Sequence, residues 1–317
     1  MLKLPKINKF GLIPIIVPLL LTFAAVLAGV AYVQNEKPIP NPIVTPSPSP
    51  SPSPSPSPTL NPSPAVSSLP KHSPSVAPIP VNNTPPGSGY SRQSVSVEGK
   101  FFSVDIIAAD LNSTKVIVDT ASESDCNNDC PVLPLGDYVS RNGAFAGING
   151  SYFCPKDYPS CAGKTNSFDT LLMNKNKRYF NSDNNVYSTV PLAVFSAGSS
   201  RFLGRSLDWG RDTSYPDAVI ANYPMLVNGN NITFTETPNE PKFGGAASRT
   251  FIAGKDSTVY IGIVREASMG ESAKVLSAMG MRDALNLDQG GSTALWYGGY
   301  KAGPGRSIPN AILFVQR

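Results

Sequence analysis

A proline-rich stretch divides this chain into parts that can and cannot form a globular domain. Residues 34–89 contain 18 of the 32 prolines, with an uninterrupted Ser-Pro alternation from Pro46 to Pro58. Proline fixes φ and lacks a backbone N–H, and so polar a stretch cannot bury a hydrophobic core. We predict a disordered linker with polyproline II character, followed by one folded domain over residues 90–317.

The residues before the linker have the pattern of a membrane-spanning segment. Three lysines stand among the first nine residues, and residues 10–33 carry no charge. An apolar run of this length can cross a bilayer, and the preceding positive charge favours an N-terminus on the cytoplasmic side. Residues 1–33 are therefore predicted to be a transmembrane signal anchor or, with cleavage near residues 29–31, a signal peptide. The domain is expected outside the cytoplasm, membrane-anchored in the first case and secreted in the second.

Charge and histidine content exclude several functions for the predicted domain. Basic and acidic residues are equally numerous in residues 90–317, so no bulk attraction to nucleic acid is expected. The only histidine is His72, in the linker, which excludes a Ser-His-Asp triad, a Cys-His dyad and a histidine-ligated zinc site from the domain. Acid–base chemistry must then come from carboxylates, Tyr, Lys or Cys. From the sequence, the cofactor is unknown and no residue is predicted to be a metal ligand.

The four cysteines leave two interpretations open. Cys126, Cys130, Cys154 and Cys161 can pair as disulfides in three ways. They could also hold a structural zinc ion, although their spacings differ from the usual CxxC. An export signal favours disulfides, because these form in oxidising compartments.

Short apolar runs separated by Gly, Asn and Asp indicate a strand-rich domain. The predicted strands are Phe102–Ala109, Lys115–Thr120, Ala144–Ile148, Thr170–Met173, Leu192–Phe195, Ala218–Ala221, Thr250–Ala253, Thr258–Val264, Ala284–Leu287, Thr293–Trp296 and Ala311–Val315. A further hairpin is predicted with its turn at Asn228-Gly229.

Two helices are predicted beside these strands. Ser268 and Glu271 have the spacing of a capping box, and Gly280 supplies the C-terminal stop of an amphipathic helix. A shorter helix is predicted over Leu135–Arg141 and ends at Gly143. Many strands, few helices and no regular βα alternation predict an α+β fold, with a twisted, strand-rich sheet core and a few flanking helices.

Asp288 stands between an apolar run and a glycine turn. Gly290 and Gly291 allow close approach of the backbone, and successive N–H groups there can form an anion-binding nest. Ser292 and Thr293 add hydroxyl donors. A carboxylate beside such a nest can serve as an acid, a base or a metal ligand; the alternative is a tight hairpin with an Asx turn.

A second polar loop also follows a predicted strand. Asn149 offers a donor and an acceptor, Gly150 permits close approach of a ligand, and the Tyr152 ring can stack on a sugar. The alternative is another structural turn.

Three charged residues are further candidates. Arg249 opens a strand and could hold a phosphodiester bidentately; the alternative is a surface salt bridge. Arg306 has a similar but weaker claim. Asp169 is a candidate second carboxylate, because glycosidic cleavage usually needs two, or it is a strand-start cap.

Five segments, in this order, resemble the phosphodiester glycosidase family. They are GINGSYF at 147–153, YPMLVNG at 223–229, SRTFIAG at 248–254, LNLDQGGSTAL at 285–295 and RSIPNAILFV at 306–315. The resemblance covers roughly residues 144–315, and the NLD-x-GGST part is the most specific. Ser151 and Gln289 depart from the family pattern, which commonly has Gly at both positions.

The resemblance implies an α+β domain that hydrolyses a sugar 1-phosphodiester. It implies that Asn149 and Gly150 lie in the sugar and phosphate pocket and that Arg249 meets the phosphate. It also implies that Asp288 and the Gly290–Thr293 turn form the catalytic floor. We therefore expect an extracytoplasmic hydrolase acting on cell-surface glycans, attached to the membrane by its N-terminal segment and not binding nucleic acid. The alternatives are a non-catalytic carbohydrate-binding module on the same scaffold and a divalent-metal phosphodiesterase using Asp288.

Overall fold

The computed structural model describes residues 80–182, 188–209, 215–235 and 241–317. The predicted membrane segment and most of the predicted linker lie outside the described residues. Within these ranges, no helix is both long and apolar enough to cross a membrane.

The described strands form three antiparallel sheets. In chain order, they are β1 (Gly89–Val97), β2 (Lys100–Asp110), β3 (Thr114–Thr120), β4 (Ala146–Asn149), β5 (Leu172–Met173), β6 (Tyr179–Phe180), β7 (Leu192–Ser196), β8 (Ser199–Leu203), β9 (Ala218–Ala221), β10 (Met225–Asn228), β11 (Asn231–Ile232), β12 (Ala247–Lys255), β13 (Thr258–Ala267), β14 (Asp283–Asn286), β15 (Leu295–Tyr297), β16 (Tyr300–Ala302) and β17 (Asn310–Gln316). The first sheet has the order β1-β2-β13-β12-β14-β10-β11, the second β16-β15-β4-β17-β3 and the third β6-β5-β9-β7-β8. The helices are α1 (Leu135–Asn142), α2 (Pro241–Gly244) and α3 (Met269–Ala278), and 3-10 turns cover Pro159–Cys161, Ser206–Asp208 and Gly290–Ser292.

Strand β12 illustrates how the sequence builds the core. Ile252 points into a core that all three sheets share, whereas Phe251 and Ala253 point to the other face of the first sheet. Successive side chains of a strand alternate between faces, so a continuous apolar run needs cover on both sides. Helix α3 covers the outer face of the first sheet, and α1 covers that of the second. The predicted α+β class, strand-rich with a few flanking helices, is confirmed.

All the predicted strands coincide with or overlap observed ones, and the largest omission is β1. This strand pairs with β2 along its whole length but is rich in polar residues, as an edge strand can be. Contacts continue before it: Val81 bridges to Ser94, and Asn83 Nδ2 donates to the Ser96 carbonyl at 3.0 Å. Residues 81–84, assigned to the linker from the sequence, therefore contact the edge of the first sheet, and Gly89 is the first residue of β1.

Both predicted helices are present, with the predicted ends. The Ser268 N–H donates to Glu271 Oε2 at 2.9 Å, and the Glu271 N–H donates to Ser268 Oγ at 3.1 Å, which completes the capping box at the start of α3. Gly280 follows α3 with φ 73°, and Gly143 follows α1 with φ 58°. Glycine ends both helices because this left-handed conformation carries no Cβ penalty there.

The predicted hairpin is confirmed, but its turn lies one residue later than predicted. Asn228 pairs with Asn231 across β10 and β11, so the turn residues are Gly229 and Asn230, with φ 57° and 69°. A type I′ turn needs positive φ at both central residues, and the Gly-Asn pair supplies it. The Gly229 N–H also donates to Asp283 Oδ1 at 2.9 Å, which ties the turn to β14.

The cysteines form two local disulfides, Cys126–Cys130 and Cys154–Cys161. No free thiol remains among the four, so the zinc interpretation is wrong. The second disulfide closes a loop whose residues contribute to the site described below.

A buried ion cluster lies between β1, β2 and β13. Asp105 is fully buried and accepts hydrogen bonds from Tyr90 Oη at 2.7 Å, Arg92 Nε at 2.6 Å and Arg265 Nε at 2.6 Å. Burial alone raises the pKa of Asp105, but the hydrogen bonds from Arg92 and Tyr90 and the charge of Arg265 hold this pKa below its usual value.

Acidification is expected to destabilise the fold through Asp105. A carboxyl group whose pKa is lower in the folded chain stabilises the fold above its unfolded pKa of about 3.9, and this contribution is lost as the pH falls through the folded pKa. The free energy of unfolding in urea should therefore decrease as the pH falls from about 5 to about 3. Asp105→Asn should lower the free energy of unfolding by about 2 kcal/mol at pH 7. In this variant the free energy of unfolding should also decrease less steeply between about pH 5 and about pH 3 than in the wild type. Asp256→Asn, in the exposed β12–β13 turn, should stay within about 0.5 kcal/mol of wild type at pH 7. If the free energy of unfolding of Asp105→Asn decreased with acid as steeply as that of the wild type, Asp105 would not be the group responsible.

Candidate functional site

Two loops far apart in the chain meet at the ends of β4 and β14. Asn149 Nδ2 donates to the Asp288 carbonyl at 2.6 Å, and Asn149 Oδ1 accepts from the Ala294 N–H at 3.1 Å. The Asp288 N–H in turn donates to the Gly150 carbonyl at 2.9 Å. Asn149 is fully buried, so its amide joins the two loops rather than facing solvent.

The first loop also rests on β17, which explains its small residues. A Cβ at Gly150 would lie 1.8 Å from Asn310 Oδ1 and 2.8 Å from the Asn310 carbonyl oxygen. Ser151, where the family commonly has Gly, accepts from Asn310 Nδ2 at 3.1 Å through its hydroxyl. The Ser151 side chain therefore contacts β17 and supports the loop from behind.

A cavity of about 300 Å³ opens beside these loops. Its lining comes from the Asp288 loop, the start of β12, the segment after β4 and the chain before β17: Tyr152, Phe153, Pro155, Tyr158, Gly245, Ala246, Ala247, Arg249, Asp288, Gln289, Gly290, Ser292 and Arg306. Of the described residues that line it, Asp288 is the one carboxylate, and Arg249 and Arg306 are the basic residues.

Arg249 is a fixed charge in the cavity wall. Its side chain is almost fully buried, with Nε donating to the Ala267 carbonyl at 2.9 Å and Nη2 to the carbonyls of Phe243 and Gly245. Nη1 donates to Gln289 Oε1 at 2.7 Å, so the side chain that departs from the family pattern contacts this guanidinium. The alternative from the sequence, a surface salt bridge, is wrong because the Arg249 side chain is buried.

Arg306 is the more accessible of the two cavity arginines. Its side chain is 23% exposed, pairs with Asp157 at 3.1 Å and lies 5.2 Å from the centre of the Tyr158 ring. The guanidinium lies directly over Gly291, where a Cβ would overlap it and displace the arginine side chain. The Arg306 N–H also donates to the Gly291 carbonyl at 2.8 Å.

Tyr152 forms the boundary of the cavity on the side of the third sheet. Its hydroxyl accepts from Asn286 Nδ2 at 2.8 Å, its N–H donates to Asn222 Oδ1 at 2.9 Å, and its ring lies 5.1 Å from that of Tyr223. Burial, together with the negative charge of Asp288, raises the pKa of Tyr152 well above its usual range. The phenol is therefore neutral and oriented by its neighbours.

The structure brings together most, but not all, of the predicted site residues. Those lining the cavity are Tyr152, Arg249, Asp288, Gly290, Ser292 and Arg306. Those adjoining the lining are Asn149, Gly150, Gly291 and Thr293. Asp169 is exposed and lines a separate, neighbouring cavity of about 640 Å³, which shares Tyr152 and Phe153 with the first. It is not a second carboxylate in the cavity of Asp288.

Sequence reasoning missed the contribution of the Cys154–Cys161 loop. Pro155 and Tyr158 line the cavity from this loop, and Asp157 holds Arg306. The close cysteine spacing directly after the GINGSYF segment was the available signal, because a short disulfide loop there must stay beside it.

The chain is similar to known proteins in sequence and in fold. The sequence model of the phosphodiester glycosidase family matches residues 142–315. No curated protein sequence matches the chain. Among solved structures, the chain is similar to the catalytic domain of zebrafish N-acetylglucosamine-1-phosphodiester alpha-N-acetylglucosaminidase, in a form auto-inhibited by its pro-peptide. The two sequences are 16% identical, and the TM-score is 0.57. The similarity covers 76% of this chain and 87% of that chain. It is also similar to a hypothetical protein from Synechocystis, with 13% identity, 72% of this chain covered and a TM-score of 0.48; the chain spans 62% of that protein's length.

The similarity to the zebrafish structure shows that the two proteins share a fold. The match to the family model is the basis for assigning this chain to a family. The matched span exceeds half of the chain and contains every residue that lines the cavity of Asp288. The chain therefore belongs to the phosphodiester glycosidase family.

Proposed function

We propose that this chain hydrolyses the bond between the anomeric carbon and the phosphate oxygen of a sugar 1-phosphodiester, in glycans outside the cytoplasm. The family is one of glycosidase hydrolases, so membership gives the class of reaction. The observation that carries the finer proposal is that Asp288 shares one cavity with two guanidinium groups and the Gly290 turn.

The charges of this cavity suit a phosphodiester. Two guanidinium groups, of Arg249 and Arg306, line the cavity beside the carboxylate of Asp288, and Arg306 also pairs with Asp157 at 3.1 Å. A phosphodiester can take the place of Asp157 as the anionic partner of Arg306. Arg306 is partly exposed and can donate charge-assisted hydrogen bonds to phosphoryl oxygens, whereas buried Arg249 adds a fixed positive charge behind them.

The leaving group explains how one carboxylate can suffice. Two carboxyl groups are usual in glycosidases because a sugar or alcohol oxygen must be protonated as it leaves. A phosphate monoester leaves as an anion at neutral pH, since its first proton is already lost and its second pKa is about 6. Asp288 is then left to stabilise the anomeric centre, as a nucleophile or as the base for water, and Asp169 is not needed as an acid.

Hydrolysis in ¹⁸O-labelled water tests which bond breaks. With N-acetylglucosamine 1-(methyl phosphate) as substrate, we expect the full-length chain to release methyl phosphate that carries no label, because water attacks the anomeric carbon. Label in the methyl phosphate would identify attack at phosphorus, and loss of activity with EDTA would then favour the metal phosphodiesterase. Release of unlabelled methyl phosphate is incompatible with attack at phosphorus, and it is the decisive readout because the C1 oxygen of a released sugar exchanges with water.

One observation favours a second candidate function, a carbohydrate-binding module. The Tyr152 and Tyr223 rings lie 5.1 Å apart and Tyr223 is 39% exposed, an aromatic surface on which a sugar can stack. Saturable binding of the methyl phosphate diester by the wild-type chain, with no turnover, would select this function over the hydrolase.

We also propose that residues 1–33 place the domain outside the cytoplasm. The disulfides Cys126–Cys130 and Cys154–Cys161 support this, because structural disulfides are typical of oxidising compartments. Protease added to intact cells should remove the domain from an anchored chain. A domain that stays protected until the cells are lysed would contradict an outward orientation.

A further inference from the structure

Gln289 brings a neutral amide to the wall of the cavity of Asp288. Its side chain is partly exposed there, whereas the neighbouring Arg249 is 1% exposed. The backbone of Gln289 is extended, with φ −143° and ψ −175°, so any residue can stand at this position, where the family commonly has Gly. A ligand that enters the cavity therefore meets the Gln289 side chain more readily than the buried guanidinium.

The contact with Arg249 fixes which end of the amide faces the guanidinium. Gln289 Oε1 accepts from Arg249 Nη1 at 2.7 Å. A guanidinium only donates hydrogen bonds, so the amide oxygen must face it, and Nε2 lies on the other side of the amide. Among the residues that the structure describes, Nε2 has no hydrogen-bond partner. Two oriented N–H groups are therefore available to a ligand.

We propose that the Gln289 amide donates to a phosphoryl oxygen of the substrate and that Arg249 acts on the phosphate through this amide. The proposal rests on the proposed function. In this arrangement Arg306 and Gln289 contact the phosphate, whereas Arg249 is a positioning residue that orients and polarises the amide. Hydrogen bonds in a chain strengthen one another, so a bond from a cation to Oε1 makes the N–H groups of Nε2 stronger donors.

The backbone of Gln289 also contacts the carboxylate of Asp288. The Gln289 N–H donates to Asp288 Oδ1 at 2.8 Å. One residue thus holds the group that acts on the anomeric carbon and, through its side chain, the phosphate that leaves this carbon. The electron pair of the broken bond stays on the phosphate oxygen, so the phosphate gains negative charge as it leaves. A fixed donor there stabilises the transition state more than the bound substrate.

Two substitutions of similar size separate this role from a purely structural one. Gln289→Met offers no N–H and only a weak acceptor, whereas Gln289→Glu accepts from Arg249 but has no N–H and adds a negative charge. We expect kcat/KM of the full-length chain on N-acetylglucosamine 1-(methyl phosphate) to fall about tenfold in Gln289→Met and about 30-fold or more in Gln289→Glu. A role confined to holding Arg249 predicts the opposite order, because a carboxylate pairs with a guanidinium better than an amide does.

The same substitutions at Gln316 are the matched controls. Gln316 is exposed and pairs with Thr114 at the end of β17, whereas Asn310, which contacts the first loop of the site, begins this strand. We expect wild-type kcat/KM from Gln316→Met and Gln316→Glu. A kcat/KM of Gln289→Met equal to that of wild type, or a Gln289→Glu variant more active than Gln289→Met, would overturn the proposal and leave the hydrolase intact.

Binding of dimethyl phosphate tests the contact without catalysis. This monoanion has the phosphoryl oxygens of a phosphodiester but no sugar, and ³¹P NMR titration follows its binding. We expect its dissociation constant to rise about tenfold in Gln289→Met, while that of free N-acetylglucosamine stays at the wild-type value. A loss confined to N-acetylglucosamine would assign the amide to the sugar and reject the proposal.

The titration also separates this proposal from the proposed function. If the wild-type chain does not hydrolyse the diester, the proposed function fails, and dimethyl phosphate alone decides the contact. Absence of binding by the wild type, or equal binding by wild type and Gln289→Met, then rejects it.

Discussion

Asp288→Asn is expected to abolish hydrolysis of a sugar 1-phosphodiester, lowering kcat by about 10²- to 10⁴-fold. Asn has nearly the same shape, and the backbone bonds that fix this position, to Gly150, Asn149 and Thr250, do not involve the carboxylate. The substitution therefore removes the charge that acts on the anomeric centre and leaves the two loops joined. The measurement is release of the sugar from N-acetylglucosamine 1-(methyl phosphate) under saturating conditions.

The same substitution at Asp256 provides the control. Asp256 lies in the turn between β12 and β13, at the end of β12 opposite Arg249, and it is exposed. We expect wild-type kcat from Asp256→Asn and unchanged thermal stability in both variants. Equal rates of hydrolysis in Asp288→Asn and wild type would remove Asp288 from the mechanism.

Gly150→Ala should destabilise the domain by about 3 kcal/mol, at the upper end of the usual cost of overpacking. The added methyl group would overlap Asn310 Oδ1 and press on the Asn310 carbonyl, which belongs to the backbone of β17 and cannot rotate away. The loop must move instead, and the Gly150 carbonyl that accepts from the Asp288 N–H moves with it. Urea denaturation should show the loss of stability, and kcat measured below the unfolding transition should also fall.

Gly204→Ala separates crowding from the general effect of replacing glycine. Gly204 is exposed, and a Cβ there would meet no atom within 4 Å. We expect its free energy of unfolding to stay within about 0.5 kcal/mol of wild type. If Gly150→Ala is as stable and as active as Gly204→Ala, the first loop does not depend on close packing against β17.

Local signals in the sequence predicted most of the elements. Ser268 and Glu271 identified the start of α3, Gly143 identified the end of α1, and alternating apolar runs identified the central strands. These features depend on groups within a few residues of one another, so they can be read without the fold. Strand β1 was missed because a polar edge strand is defined by its partner, β2, rather than by its own pattern.

The roles of individual site residues could be predicted less well. Asn149 was expected in the sugar and phosphate pocket, but its amide bonds join the two loops from behind the cavity. Asp169 was expected near Asp288, but it lines the adjoining cavity. Polar residues after a strand look alike in sequence whether they face a ligand or another loop, and only their neighbours in space distinguish them.

The sequence by itself determined the strand-rich class and the family resemblance, and it identified the Asp288 segment as a candidate site. Only the tertiary structure decided that Asp288 and Arg306 share a cavity and that Asp169 lines a different, larger one. The reason is that these positions are fixed by strand pairing and loop contacts across more than a hundred residues, such as that between Asn149 and Asp288. Such contacts depend on how the sheets pack around their shared core, which no local pattern encodes.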